Sequence, residues 1–65
     1  MQIKTRVLMN GLRSVLLNSH YVGSIKKVNG NWNFYDVEDH LVFGVHGKTI
    51  PNMTSELEKY FGKKN

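Results

Sequence analysis

The chain has 65 residues, 40% of them hydrophobic and 22% charged, a globular composition for one domain, residues 1–65, with a small core. It has no cysteine, which excludes disulfide staples, thiolate metal sites and cysteine nucleophiles; secreted domains this small usually carry staples, so a cytoplasmic location is expected. Nine Lys and Arg against five Asp and Glu give a formal net charge of +4, which suits a polyanion such as nucleic acid or an acidic protein surface, and equally serves plain solubility.

The chain opens Met1-Gln2-Ile3-Lys4-Thr5-Arg6, without the long apolar stretch of a signal peptide. No later run approaches the roughly 18 apolar residues of a membrane span. From Ile3 to Ser19, apolar residues at Ile3, Val7, Leu8, Leu12, Val15 and Leu16 recur in steps of three and four, the spacing of one helical face. Asn10-Gly11 speaks against this, because that dipeptide is a strong hairpin turn. Gly11 inside a helix costs about 1 kcal/mol relative to alanine. The periodicity runs through the glycine, and Leu16-Leu17 breaks strict alternation, so a first helix is expected.

Tyr21 to Val28 reads as a strand, and Asn29-Gly30 supplies the positive φ angles of a two-residue hairpin turn. Asn31 to Val37 follows, with Trp32 and Phe34 on one face and Asn33, Tyr35 and Val37 on the other. Glu38-Asp39-His40 is a polar turn. Leu41 to His46 forms the third strand, with alternation placing Leu41, Phe43 and Val45 on one side. Gly47 to Pro51 is an extended connection. Asn52 or Thr54 can cap a last helix, and Ser55 with Glu58 fits a capping box. Glu56 and Glu58 near its start, and Lys59, Lys63 and Lys64 near its end, suit the helix dipole. Met53, Leu57, Tyr60 and Phe61 recur at helical spacing and should dock on the sheet. The expected fold is α+β, in the order α-β-β-β-α, a three-stranded antiparallel sheet with two helices on one face.

Three histidines, His20, His40 and His46, are the groups suited to proton exchange near neutral pH. RNA cleavage needs a base for the 2′-hydroxyl proton, an acid for the leaving oxygen and a cation for the charged intermediate. His46 with Lys48, Lys26 or Lys27 can supply such parts, although a surface residue at a strand end is the plainer reading of His46. His40 and His46 stand six apart near Glu38 and Asp39, but no tight metal-ligand pair appears, so no metal is expected. The scattered glycines make no phosphate loop, so no cofactor is expected. Trp32, Phe34, Tyr35 and Tyr21 lie among Lys26, Lys27 and Lys48, a mixture that can stack bases and hold phosphates. Phe34 is more simply core, and Trp32 fits either role.

The second half of the chain resembles the HicA toxin family of small mRNA interferases, which share a double-stranded-RNA-binding-like α-β-β-β-α fold. Val45-His46-Gly47-Lys48-Thr49-Ile50-Pro51-Asn52-Met53-Thr54, leading into Leu57, is similar to the family's histidine-glycine-lysine run into its last helix. Gly30-Asn31-Trp32-Asn33-Phe34-Tyr35 falls where the family has a glycine, a small residue, the catalytic histidine and a hydrophobic strand. The likeness spans roughly Tyr21 to Gly62. Trp32 stands at the catalytic histidine position and has no basic nitrogen to accept a proton. The resemblance therefore implies an RNA-binding toxin domain with weakened or absent endonuclease activity. His46 is the remaining catalytic candidate, Lys26, Lys27, Trp32 and Lys48 are the RNA-binding ones, and a HicB-like antitoxin or other inhibitor is an expected partner. The alternative is a small protein-binding inhibitor or adaptor of phage or mobile-element type, without enzymatic activity.

Overall fold

The computed structural model describes residues 2–62, in the order β1 (Ile3–Met9), β2 (Leu12–Leu17), β3 (His20–Val28), β4 (Asn31–Tyr35), β5 (Leu41–Gly47) and α1 (Ile50–Gly62). All five strands pair antiparallel in sequence order, so the sheet is a simple meander with β1 and β5 at its edges. The expected α-β-β-β-α arrangement is therefore corrected to a five-stranded sheet followed by one helix.

The correction comes from the first segment, where the expected helix is a β-hairpin. Asn10-Gly11 is its turn, with Gly11 at φ 77°, and Val7 faces Arg13 across the pair. A second tight turn follows at Asn18-Ser19, both at positive φ (51° and 72°), and brings Leu17 opposite His20. Asn29-Gly30 makes the third, at φ 52° and 81°. The consecutive positive φ angles of the second and third turns match the right-handed twist of paired strands, and with the Asn10-Gly11 turn, where Gly11 alone is at positive φ, these short links close three hairpins in succession.

The helical spacing in the first segment misled because β1 and β2 place polar residues on their inward face. Thr5 and Val15 face each other, as do Val7 and Arg13. Arg13 donates a hydrogen bond to Thr5 Oγ1 (3.4 Å), and its guanidinium lies over Trp32. An inward arginine that spreads over an indole keeps its charge hydrated at the rim while its stem covers apolar surface.

Val15, Ile25, Trp32, Phe34 and Val45 from the sheet, with Met53 and Leu57 from the helix, form the buried core. Phe34 meets Tyr60 and Phe61 edge-on, at centroid distances of 6.0 and 5.9 Å. The expected docking stripe Met53-Leu57-Tyr60-Phe61 thus sits on the sheet. Helix α1 packs chiefly on β5 and reaches β1 and β4.

The helix starts earlier than its capping signals suggest. Thr49 is the cap: its Oγ1 accepts a hydrogen bond from the Asn52 amide (3.2 Å), three residues on. Ile50 and Pro51 lie in the first turn, where a missing proline N–H leaves no bond unmade. Thr54 is inside the helix, its hydroxyl donating to the Ile50 carbonyl (3.1 Å), so Asn52, Thr54 and the Ser55–Glu58 box do not cap it. The first turn holds no acidic residue, and Lys59 is in the last turn. Lys63 and Lys64 lie outside the described residues.

Strand β5 departs most from simple alternation. Two residues along β4, Asn33 to Tyr35, are matched by five along β5, His46 to Leu41, with Gly44 at φ 89° in the bulge. The extra residues turn Val42 and Val45 toward the core and throw Phe43 out. Leu41, Phe43 and Val45 therefore do not share a face.

Candidate interaction surfaces

The residues singled out from the sequence fall in four places. Lys26 is on the face of the sheet away from the helix, opposite Asn33 and Leu12. Lys27, its neighbour in the strand, points to the other face, opposite Trp32. Trp32 is only 7% exposed, packed into the core beneath Arg13. His46 and Lys48 meet beside the helix start, in a polar cleft of about 590 Å³ that Asn31, Asn52, Glu56 and Lys59 also line. The fold joins His46 and Lys48 on either side of Gly47, which pairs with Trp32, but the Trp32 side chain is buried in the core and Lys27 lies one strand further on.

That cleft is open to water. Among the described residues no polar or charged side chain is buried, and no group of three or more His, Asp or Glu side chains is placed to hold a metal ion. Lys59 is engaged with Glu56 at 3.5 Å. A cation in bulk water offers little electrostatic stabilisation to a reacting phosphate.

The open face of the sheet is polar and mildly cationic. Arg6, Ser14, Ser24 and Tyr35 lie opposite one another across four strands, and Leu12, Lys26, Asn33 and His46 make the neighbouring row. The Tyr21 and Ser24 hydroxyls are 3.1 Å apart. Lys26 Nζ donates to Asp39 Oδ1 at 2.8 Å and lies 4.5 Å from the Tyr35 ring centroid. The hydrogen bond to Asp39 holds the Lys26 pKa above its ordinary 10.5, with the charge of Asp39 and the Tyr35 side chain adding to it and partial desolvation opposing it. Lys26 is thus already partnered, which leaves Lys4 and Arg6 on β1 as this face's exposed cations.

The two edges of the sheet differ. Strand β1 carries Lys4 and Arg6, and charges on an edge discourage another strand from adding to it. Strand β5 reads Leu-Val-Phe-Gly-Val-His-Gly, with no Lys, Arg, Asp or Glu. Phe43 on it is 95% exposed and Leu41 55%. Beside Phe43, a mainly apolar hollow of about 160 Å³ is lined by Leu41, Val42, Phe43, Gly44 and Val45, together with Asn33 and His46. Sequence reasoning missed this feature by assuming unbroken alternation, although a glycine inside a strand is itself a sign of a bulge.

No family model, curated protein or solved structure matches the chain. The HicA resemblance therefore rests on the short stretches quoted above, and the two-helix fold it implied is not the fold found. No helix among the described residues is long and apolar enough to cross a membrane.

Proposed function

We propose that this chain is a small cytoplasmic protein-binding module, an inhibitor or adaptor without enzymatic activity, which engages its partner along strand β5. The observation that carries this reading is Phe43, 95% exposed on an edge strand that bears no charge. An exposed aromatic desolvates easily and makes a rigid anchor, and an unpaired edge offers backbone donors and acceptors to an incoming strand. The hollow beside Phe43 takes a side chain of that strand.

The test is selection of displayed random peptides on the wild-type protein, with counter-selection on Phe43→Ser. Because Phe43 packs against nothing in the core, the variant retains the fold. Enriched peptides with alternating apolar residues, which slow hydrogen exchange in β5 and are lost with Phe43→Ser, are the expected result. Failure to enrich any Phe43-dependent peptide overturns the reading.

A second reading, RNA binding, is favoured by the open face, where Lys4 and Arg6 adjoin a row of hydroxyl, amide and tyrosine side chains. It retains the RNA partner that the HicA resemblance implied, but on a different surface. Salt-sensitive retention of single-stranded RNA that is lost in Lys4→Glu/Arg6→Glu, and indifferent to Phe43→Ser, favours this second reading. A toxin role predicts growth arrest on induced expression, and arrest abolished by His46→Ala points to cleavage.

A further inference from the structure

We propose that the occupant of the β5 edge is a second copy of this chain, the two β5 strands running antiparallel about a two-fold axis near Phe43. This rests on the reading of β5 as a docking edge and names its partner.

Three features of the edge make it complementary to itself, as a two-fold interface requires. The first is shape. Each copy presents a protruding Phe43 ring directly beside a mainly apolar hollow of about 160 Å³. A cavity of about 150 Å³ suffices to hold benzene, so the ring of one copy fills the hollow of the other, and the exchange is mutual.

The second feature is charge. The turn that feeds β5 is acidic, with Asp36, Glu38 and Asp39, whereas Lys48 follows its last residue. Asp39 is bound to Lys26, and Asp36 accepts hydrogen bonds from the Glu38 and His40 amides. Glu38 is thereby held on the outside of the turn, exposed. Antiparallel pairing about Phe43 brings the acidic turn that precedes β5 in each copy toward the end of β5 in the other, which sets Glu38 on the side of Lys48 at both ends. Parallel pairing would set like charges together.

The third is the contrast between edges. Lys4 and Arg6 protect β1, while β5 has only its bulge, and that bulge projects Phe43 outward. Joined through β5, two copies form one ten-stranded sheet in which only the guarded β1 edges remain free.

Sedimentation equilibrium over a range of concentrations tests this. The wild type should reversibly reach twice the chain mass, and Phe43→Ser should remain at the chain mass with an unchanged circular dichroism spectrum. Glu38→Lys alone and Lys48→Glu alone should each weaken self-association at least about tenfold through like-charge contacts. The double variant should recover it, and an equimolar mixture of the two single variants should form a mixed dimer. A wild type that stays at the chain mass at every concentration overturns the inference, and Phe43-dependent peptide binding by that monomer would leave the docking edge itself standing. A dimer insensitive to Phe43→Ser, or one that the double variant fails to restore, overturns the antiparallel β5 arrangement.

Discussion

Arg13 lies across Trp32, its guanidinium carbon 5.8 Å from the ring centroid. The stacking closes over an indole that is already buried against the core, so no base can use that ring as a platform. Trp32 is a structural residue here. Trp32→Ala should lower stability by about 3–5 kcal/mol, as loss of a large buried aromatic does, a large share of what a small domain possesses. Trp32→Phe, which keeps much of the buried volume, should retain the fold and leave any RNA retention unchanged. Chemical denaturation and filter binding measure the two effects separately.

Gly23 sits where β3 bulges against β2, at φ 151°, and its backbone packs on β4. A Cβ at this position would overlap the Tyr35 carbonyl oxygen and the Phe34 ring. Backbone strain and a core clash therefore combine, and Gly23→Ala should cost more than about 2 kcal/mol. Gly30, at φ 81° in the β3–β4 turn, has nothing within 4 Å of a built Cβ. Its alanine variant meets backbone strain alone and should lose only about 1 kcal/mol. Comparison of denaturation midpoints separates clash from strain.

Lys26 and Asp39 tie the β4–β5 turn to the middle of the open face. Because the folded-state pKa of Lys26 lies above the ordinary 10.5, the pair stabilises the fold fully below 10.5 and loses that contribution as pH rises through the higher folded value. Lys26→Met should therefore reduce the difference in stability between neutral and strongly alkaline solution. The expected gap between wild type and variant is small, since both partners are solvent-accessible. It should narrow as pH rises past 10.5, which paired denaturation curves across that range would show. A gap that widened with pH would contradict the assignment.

Several elements were legible from local chemistry. Asn29-Gly30 demanded a hairpin, Trp32 and Phe34 alternated with polar neighbours, and Met53, Leu57, Tyr60 and Phe61 kept helical spacing. Each signal is complete within a few residues, and the structure has all three. Asn10-Gly11 was the same kind of signal, yet the longer apolar spacing outweighed it. The inward face of β1 and β2 carries the half-buried Thr5 and Arg13, and Arg13 is covered on that face by lying over Trp32, about twenty residues away in sequence. No window confined to the first segment contains that partner.

Composition and near neighbours were enough to read the small core, the absence of cysteine chemistry, the Asn29-Gly30 hairpin turn and the docking stripe of the last helix. That Trp32 is covered by Arg13 and that β5 is an edge came from the folded arrangement. Edge position depends on which strands pair, and the exposure of Phe43 depends on a bulge set by β4. Both are consequences of long-range register, in which a shift of one residue reverses the face each side chain takes.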